Sequence, residues 1–284
     1  MKSEELEKDE VLDSLEIGDK KIIQRKNGFK FGIDSCLLAN LALDFFEQKY
    51  KKTKNYIFCD LCSGTGVIAN IFYSKHLLIQ NKETDKNVKG LLLEIDKKAV
   101  ESAQKTIRIN EFEQNLLVRK CDIKKVKGIK LKEDEELREF LGIKQRVSKQ
   151  NLSEIADVLL VNPPYFKTEK GLKNKENRVL RARSEKECAF SDVANAAAFL
   201  LKNGAKLYVV HKTERLSEIM NTLKKYKLEP KEITFIHSFI DRESQNFILC
   251  AVKNGKEGIR VNKPIIVYEK EGVYTKEVLT LLNK

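Results

Sequence analysis

Residues 56–78 read YIFCDLCSGTGVIANIFYSKHLL, and this stretch decides the fold. A short apolar run leads into a turn with two glycines, Gly64 and Gly66, and apolar residues at helical spacing follow. The same strand–turn–helix pattern returns in residues 90–110 and continues to about residue 228. Alternating strands and helices predict an α/β fold with a mostly parallel sheet covered on both faces. The last apolar runs have no helices between them, so we expect an antiparallel C-terminal edge.

Two segments stand outside this alternation. Residues 1–19 form an acidic leader that can be disordered, and residues 20–284 form a single domain. At its start, residues 20–55 hold a small hairpin and a helix, with Lys20 to Arg25 returning through Asn27-Gly28 to Phe29 and Phe31. A polar insertion, residues 124–154, contains EDEELREFLGIK, which we expect to form a surface helix.

The composition favours a nucleic-acid partner and argues against a membrane protein. The 284 residues are 42% hydrophobic and carry a net charge of +12, which favours an anionic partner. Most of this charge is lysine, so charge alone is a weak argument. No run approaches the roughly 18 to 20 apolar residues that a span requires, and the N-terminus lacks a signal peptide, so we expect a cytoplasmic protein. The three histidines are scattered, and we expect no metal site.

The carboxyl ends of the strands are the predicted ligand site, because open α/β sheets bind ligands there, near the topological switch point. Asp60 ends the first of these strands, and Gly64 and Gly66 follow it in a turn that allows a ligand to approach the backbone closely. A Gly-x-Gly turn is also an ordinary strand-to-helix connection, so this motif needs support from others.

Two further strand ends carry a carboxylate beside an apolar residue. Glu94 can accept hydrogen bonds from both hydroxyls of a ribose, and Ile95 can pack on an adenine ring. Glu94 could instead cap the next helix, although Asp96 is better placed for that role. Asp122 and Ile123 offer a second pair, suited to the amino group and face of a base, and alone they are equally compatible with a structural role.

The sequence Asn162-Pro163-Pro164-Tyr165 follows a buried apolar strand directly. Two prolines end the strand and fix the backbone, which predicts that the Asn amide and the Tyr ring are directed into the cleft. An amino nitrogen conjugated to a ring or carbonyl is a poor nucleophile. Hydrogen bonds from its N–H groups to the Asn162 side-chain oxygen and the Pro163 carbonyl would let it turn toward an electrophilic methyl group, while Tyr165 stacks on its plane.

The order DLCSGTG, LLLEID, CDI and NPPY resembles the seven-strand, Rossmann-like S-adenosylmethionine-dependent amino methyltransferases. More narrowly, IIQRKNGFKFGIDSCLLANLA, VVHKTERLSEI and the C-terminal tail resemble the bacterial tRNA (adenine-N6)-methyltransferases that modify the adenosine next to the anticodon of a valine tRNA. The resemblance covers nearly the whole chain outside the leader and insertions.

This resemblance implies a cofactor, a partner and a set of site residues. S-adenosylmethionine is the cofactor and tRNA the partner, and the chain is expected to be a monomer or weak homodimer. Asn162, Pro163, Pro164 and Tyr165 are the implied catalytic residues. The residues implied in cofactor binding are Gln24, Phe31, Asp34, Asp60, Cys62, Gly64, Gly66, Glu94, Ile95, Asp122, Ile123 and Asn162.

A basic stretch after Tyr165 is the predicted RNA contact. A loop there could clamp an RNA backbone near the target base, although it could equally be a solvated lysine-rich loop. The substrate-binding candidates are Tyr165, Phe166, Lys167, Arg178, Arg181 and Arg183.

The chain departs from the family pattern in three places. Cys62 replaces the first glycine of the generic turn, Ser184 stands where a histidine is expected, and residues 124–154 are an insertion with no role that the sequence explains.

Three other functions remain open at this point. Glutamine methyltransferases of release factors also use the NPPY motif, but they carry a helical domain before the first motif, where this chain has a short segment. Amino methylation of guanine in ribosomal RNA or of adenine in DNA would use the same chemistry. A non-catalytic RNA-binding protein on this scaffold would have no physical reason to keep Glu94, Asp122 and NPPY together.

Overall fold

The computed structural model describes residues 6–26, 32–50, 55–143, 151–164 and 189–283. Its strands, in chain order, are β1 (Glu10–Ser14), β2 (Lys21–Arg25), β3 (Tyr56–Leu61), β4 (Val88–Glu94), β5 (Leu116–Lys120), β6 (Ala156–Val161), β7 (Leu201–Lys212), β8 (Leu228–His237), β9 (Asn246–Lys253), β10 (Arg260–Val261), β11 (Ile265–Ile266), β12 (Tyr268–Lys270) and β13 (Val273–Tyr274). Its α-helices are α1 (Ile33–Lys49), α2 (Val67–Ile79), α3 (Lys97–Ile109), α4 (Glu135–Phe140), α5 (Phe190–Leu200), α6 (Leu216–Lys225) and α7 (Lys276–Asn283).

The strand order of the main sheet confirms the predicted α/β class. Its long strands lie in the order β5-β4-β3-β6-β7-β9-β8, and the short β10 and β11 pair with β8. Neighbouring strands are parallel except at β9, which is antiparallel to both β7 and β8. The C-terminal strands β8 and β9 thus form the antiparallel edge region that the sequence predicts, and β9 lies between β7 and β8. The chain moves outward from β3 to β5 and then returns to β6, which places the topological switch point between β3 and β6.

Each face of the sheet is covered by a hydrophobic cluster. Alternate residues of one strand point to opposite faces, so Leu92 packs with α1, α2 and α3 whereas Leu91 packs with α5 and α6. Both side chains are fully buried. This two-sided burial explains why the strands are continuous apolar runs in the sequence. Within the described part of the chain, no helix is both long and apolar enough to span a membrane.

The N-terminal hairpin differs from its prediction. β1 pairs with β2 in antiparallel register, with Glu10 opposite Arg25, so part of the predicted leader is a strand. The predicted return strand at Phe29 and Phe31 lies outside the described residues. Contacts distant in sequence stabilise β1: Glu10 accepts from Ser102 Oγ at 2.6 Å and pairs with Lys105 Nζ at 2.7 Å. A local sequence pattern carries no signal for such contacts.

The insertion is tied to the core. Its predicted helix is confirmed as α4, and Asp134 caps it by accepting from the Leu137 N–H at 2.9 Å. Leu131 and Leu137 are each about 1% exposed and join the cluster on the α5–α6 face. The segment therefore covers part of the sheet. Residues 144–150 lie outside the described part of the chain.

Candidate functional site

The carboxyl ends of four parallel strands lie side by side at one end of the sheet. Asp60 lies in β3, Glu94 ends β4, Asp122 follows β5 and Asn162 follows β6. Because these strands are adjacent in the order β5-β4-β3-β6, their carboxyl ends form a continuous row across the switch point. The row contains a residue from every motif that the sequence singled out.

The glycine turn between β3 and α2 presents its backbone to open space. Gly64 and Gly66 have positive φ angles of 54° and 80°. A Cβ atom at Gly64 would meet nothing within 4 Å, so a ligand can approach the backbone there. A Cβ atom at Gly66 would lie 3.0 Å from Leu92 Cδ2, so this glycine allows close packing of the turn on β4. Cys62 also has a positive φ, 55°, which accounts for the glycine that the generic motif has at this position.

Glu94 joins the glycine turn to β4. Its Oε2 accepts from the Gly64 N–H at 2.8 Å, and its Oε1 accepts from the N–H groups of Ile95 and Asp96 at 2.8 and 2.9 Å. Asp96 is the cap of α3 and accepts from the Ala99 N–H at 2.9 Å, as expected from the sequence. Ile95 is 53% exposed beside the carboxylate, so its side chain is free to pack on a flat ligand.

Asp60 is a buried acid with unused hydrogen-bonding capacity. Its Oδ2 accepts from the Ala69 N–H at 3.2 Å. Its Oδ1, like Ser63 Oγ nearby in the turn, is buried and has no hydrogen-bond partner among the described residues. Burial raises the pKa of Asp60 to about 8; the Ala69 N–H opposes this rise and the charge of Glu94 adds to it. These two buried polar atoms, one near the end of β3 and one in the turn that follows, lack partners in the described part of the chain and so favour a polar ligand there.

The predicted pair after β5 has a partly structural role. Asp122 Oδ1 accepts from the Lys124 N–H at 3.0 Å and caps a 3₁₀ turn, Ile123–Gly128. Ile123 is buried in the hydrophobic cluster of the α5–α6 face, which leaves little of its side chain for a ligand. Asp122 itself is partly exposed, so a ligand can reach its carboxylate.

Asn162 uses only one end of its side-chain amide for a hydrogen bond to the described residues. Its Nδ2 donates to Ser35 Oγ at 3.0 Å. Its Oδ1 is buried and accepts no hydrogen bond from the described residues. Pro163 and Pro164 follow without regular secondary structure, as the sequence predicts. Seven predicted site residues lie outside the described residues: Phe31, Tyr165, Phe166, Lys167, Arg178, Arg181 and Arg183.

Two residues in the first turn of α1 contact the strands at this end of the sheet. Asp34 Oδ2 accepts from Asn246 Nδ2 at 2.9 Å, and the Asn246 Oδ1 is buried without a partner among the described residues. Burial raises the pKa of Asp34, and Asn246 and the nearby Lys212 charge oppose the rise. Gln24 precedes α1 in the chain and lies in β2 of the N-terminal hairpin. Its Nε2 donates to Asp13 Oδ2 at 2.6 Å.

Sequence reasoning missed Ser35 and Asn246. Ser35 carries no chemical signal of its own, and only its place beside Asp34 pointed to it. Asn246 could have been noticed as a polar residue at the start of an apolar strand, since β9 is otherwise largely buried. Among the described residues, no group of three or more His, Cys, Asp or Glu side chains is arranged to hold a metal ion.

No protein-family model matches the chain, and no curated protein matches it either. Solved structures do match. A predicted O-methyltransferase from Agrobacterium tumefaciens is 18% identical with a TM-score of 0.58, and the alignment covers 88% of this chain and 95% of that one. A Listeria monocytogenes protein assigned to the class I S-adenosylmethionine-dependent methyltransferases is 13% identical with a TM-score of 0.52, covering 84% and 68%.

A third solved structure is the methyltransferase subunit of a type I restriction-modification system from Streptococcus thermophilus. It is 12% identical with a TM-score of 0.56, and the alignment covers 89% of this chain but only 51% of that one. At these identities the likeness shows the fold. The chain therefore has the Rossmann-like fold of these methyltransferases, in agreement with the sequence prediction.

Proposed function

We propose that this chain transfers a methyl group from S-adenosylmethionine to the N6 amino group of an adenosine in tRNA. One observation carries the proposal: the buried Asn162 Oδ1 has no partner among the described residues, and it stands at the carboxyl end of β6, directly before two prolines. A lone carbonyl oxygen in such a position suits an N–H donor. An amino group undergoing methylation is such a donor.

The residues at the ends of β3 and β4 fit the cofactor. Gly64 faces open space, and Asp60 Oδ1 and Ser63 Oγ are buried polar atoms without partners among the described residues. These groups would hold the methionine part, while Glu94 would bind the ribose and Ile95 and Asp122 the adenine. When bound, S-adenosylmethionine supplies an activated methyl group on its sulfonium. The comparison structures that carry this fold include one assigned to the S-adenosylmethionine-dependent class.

The chain's own part in the reaction is to position the acceptor nitrogen. Asn162 Oδ1 and the Pro163 carbonyl would each accept one N–H of the amino group, which draws the nitrogen lone pair out of conjugation with the ring. Tyr165 would stack on the base and hold the nitrogen in line with the methyl group. An amide is not a general base at neutral pH, so this arrangement acts by orientation rather than by acid–base catalysis.

A tRNA acceptor is supported by charge and by the cost of exposing the base. The chain carries a net charge of +12, and basic residues are concentrated in residues 167–183, directly after the NPPY motif. A base in an anticodon region is unpaired, so moving it into a pocket costs less than extruding it from a duplex. The family resemblance narrows the target to the adenosine next to the anticodon of a valine tRNA.

Methyl transfer from labelled S-adenosylmethionine tests the proposal. The purified protein is incubated with unmodified total tRNA, with ribosomal RNA and with a release factor, and each product is digested and identified by mass. We expect N6-methyladenosine in the tRNA reaction alone. Label in guanine of ribosomal RNA or in glutamine of the release factor would show that the acceptor is wrong. Absence of label from all acceptors would contradict catalysis itself.

A further inference from the structure

The proposed reaction depends on which way the Asn162 amide points. The oxygen must face the acceptor, because the amide NH₂ group would place donors against the donors of the incoming amino group. The two orientations have nearly the same shape, so packing alone discriminates weakly between them. A hydrogen bond from the amide to a fixed neighbour holds the side chain in place at this strand end.

Ser35 makes that hydrogen bond. Its Oγ accepts from Asn162 Nδ2 at 3.0 Å, which leaves Oδ1 on the opposite side of the amide without a partner among the described residues. Ser35 is only 2% exposed, so water competes little for its hydroxyl. The contact joins residues 127 positions apart in the chain, from the first turn of α1 to the end of β6.

The first turn of α1 is held in place by a second contact. Asp34 accepts from Asn246 at the start of β9, and Asn246 stands opposite Lys212 at the end of β7. β6 and β9 are separated by β7, which corresponds to two strand spacings, or about 10 Å. Consecutive residues of α1 thus attach to two separate strands, and this limits the movement of Ser35 relative to Asn162.

We propose that Ser35 is a positioning residue: its hydrogen bond to Nδ2 fixes the place of the Asn162 side chain, with Oδ1 on the side of the acceptor amino group. It acts through Asn162 and does not itself touch the acceptor. The inference rests on the proposed function, since it assigns the amide oxygen to an amino acceptor. It extends that function to a residue outside the NPPY motif.

The test compares Ser35→Ala with Ser74→Ala. Ser74 is another buried serine, in α2, and its Oγ has no hydrogen-bond partner among the described residues. With tRNA as acceptor, Ser35→Ala should lower kcat roughly five- to tenfold, as expected for one lost hydrogen bond. KM for both substrates should stay within about twofold. Ser74→Ala should match the wild type, and both variants should melt within about 3 °C of it.

A double-mutant cycle separates positioning from a general structural effect. In an Asn162→Ala background, Ser35→Ala should cause no further loss of kcat, because the group that it orients is absent. An equal loss in both backgrounds, or an unchanged kcat for Ser35→Ala alone, would overturn the inference. If Ser35→Ala does not fold, Ser35→Cys keeps the shape with a weaker acceptor, and an intermediate kcat is expected.

A readout without turnover distinguishes failure of this inference from failure of the proposed function. The side-chain amide protons of Asn162 can be identified by NMR from their loss in Asn162→Ala. Ser35→Ala should shift these signals and speed their exchange with water, whereas Ser74→Ala should not. Unchanged Asn162 signals in Ser35→Ala would refute the contact whether or not tRNA is methylated. A wild-type protein that shows the contact but methylates no tRNA would refute the proposed function alone.

Discussion

Replacing Glu94 with glutamine tests the cofactor side of the site. Each carboxylate oxygen has two lone pairs, and three of the four positions are filled by the N–H groups of Gly64, Ile95 and Asp96. The remaining position, on Oε2, is available to one ribose hydroxyl, whereas the sequence alone suggested a contact with both hydroxyls. In Glu94→Gln the amide oxygen can stay with Ile95 and Asp96, and the NH₂ group then faces the Gly64 N–H.

The structure sets the expected size of both effects. Loss of one hydrogen bond to a charged acceptor costs about 2 kcal/mol of unfolding free energy. At about 2–4 °C per kcal/mol, the apo protein should melt about 4–8 °C lower than the wild type. Loss of the ribose contact costs about 1.5–3 kcal/mol more in cofactor binding, which raises the Kd for S-adenosylmethionine about 10- to 150-fold.

Calorimetric titration of S-adenosylmethionine measures the second effect directly. Glu101→Gln is the matched control, since Glu101 is a partly exposed residue of α3 that pairs with Lys97 at 3.6 Å. This control should bind the cofactor like the wild type. A folded Glu94→Gln variant whose Kd stays within twofold of the wild type would refute the assignment of Glu94 to the ribose.

Three further predictions follow from burial, charge and backbone geometry. Asp60 keeps its proton up to about pH 8 when folded but loses it near pH 4 when unfolded, so its contribution to stability falls as the pH rises from 4 to 8. Apo Asp60→Asn should therefore melt higher than the wild type at pH 8, and a margin that does not shrink toward pH 4 would contradict this. Burial disfavours the ionised form of Asp85, yet hydrogen bonds from Lys82 and the Tyr50 hydroxyl hold the pKa of this carboxyl well below its usual value. The ionised carboxylate therefore stabilises the fold above about pH 4, and this stabilisation is lost as the pH falls. Denaturant unfolding of Asp85→Asn should show a loss of about 2 kcal/mol at pH 7 that is smaller at pH 3, and an equal loss at both pH values would refute it. Gly66→Ala should lower the unfolding free energy by about 2 kcal/mol and Gly64→Ala by about 1 kcal/mol, because only a Cβ atom at position 66 would contact a neighbour. Equal losses would argue against close packing of Gly66 on Leu92.

Much of the fold follows from local patterns in the sequence. The buried strands β3 and β4 are apolar runs in the sequence. Glycine turns and capping residues such as Asp96 mark where helices begin. The insertion of β9 between β7 and β8 has no local signal, because strand order depends on contacts between segments distant in the chain. The pairing of β1 was not predicted for the same reason: β1 is stabilised by contacts between Glu10 and residues of α3, which are distant in the chain.

The residues of the candidate site likewise fall into those that the sequence predicts and those that it does not. Strand-end residues such as Asp60, Glu94 and Asn162 are predictable because a parallel sheet brings the ends of its strands to one edge. Ser35 and Asn246 are not, because their roles depend on where α1 and β9 meet that edge. Motif spacing identifies groups on one turn, whereas the contacts that orient them arise from tertiary structure.

The most direct test of the central claim measures cofactor binding and methyl transfer separately in Asn162→Ala. The resemblance also counts Asn162 among the cofactor-binding residues, but the proposed function assigns its amide to the acceptor, so the Kd for S-adenosylmethionine should stay within about twofold of the wild type. The single-turnover rate of methyl transfer to unmodified tRNA should fall by at least about 100-fold, because the acceptor nitrogen loses its orienting hydrogen bond. A variant that still methylates tRNA at a rate near that of the wild type, or one that loses cofactor binding and turnover equally, would contradict the account.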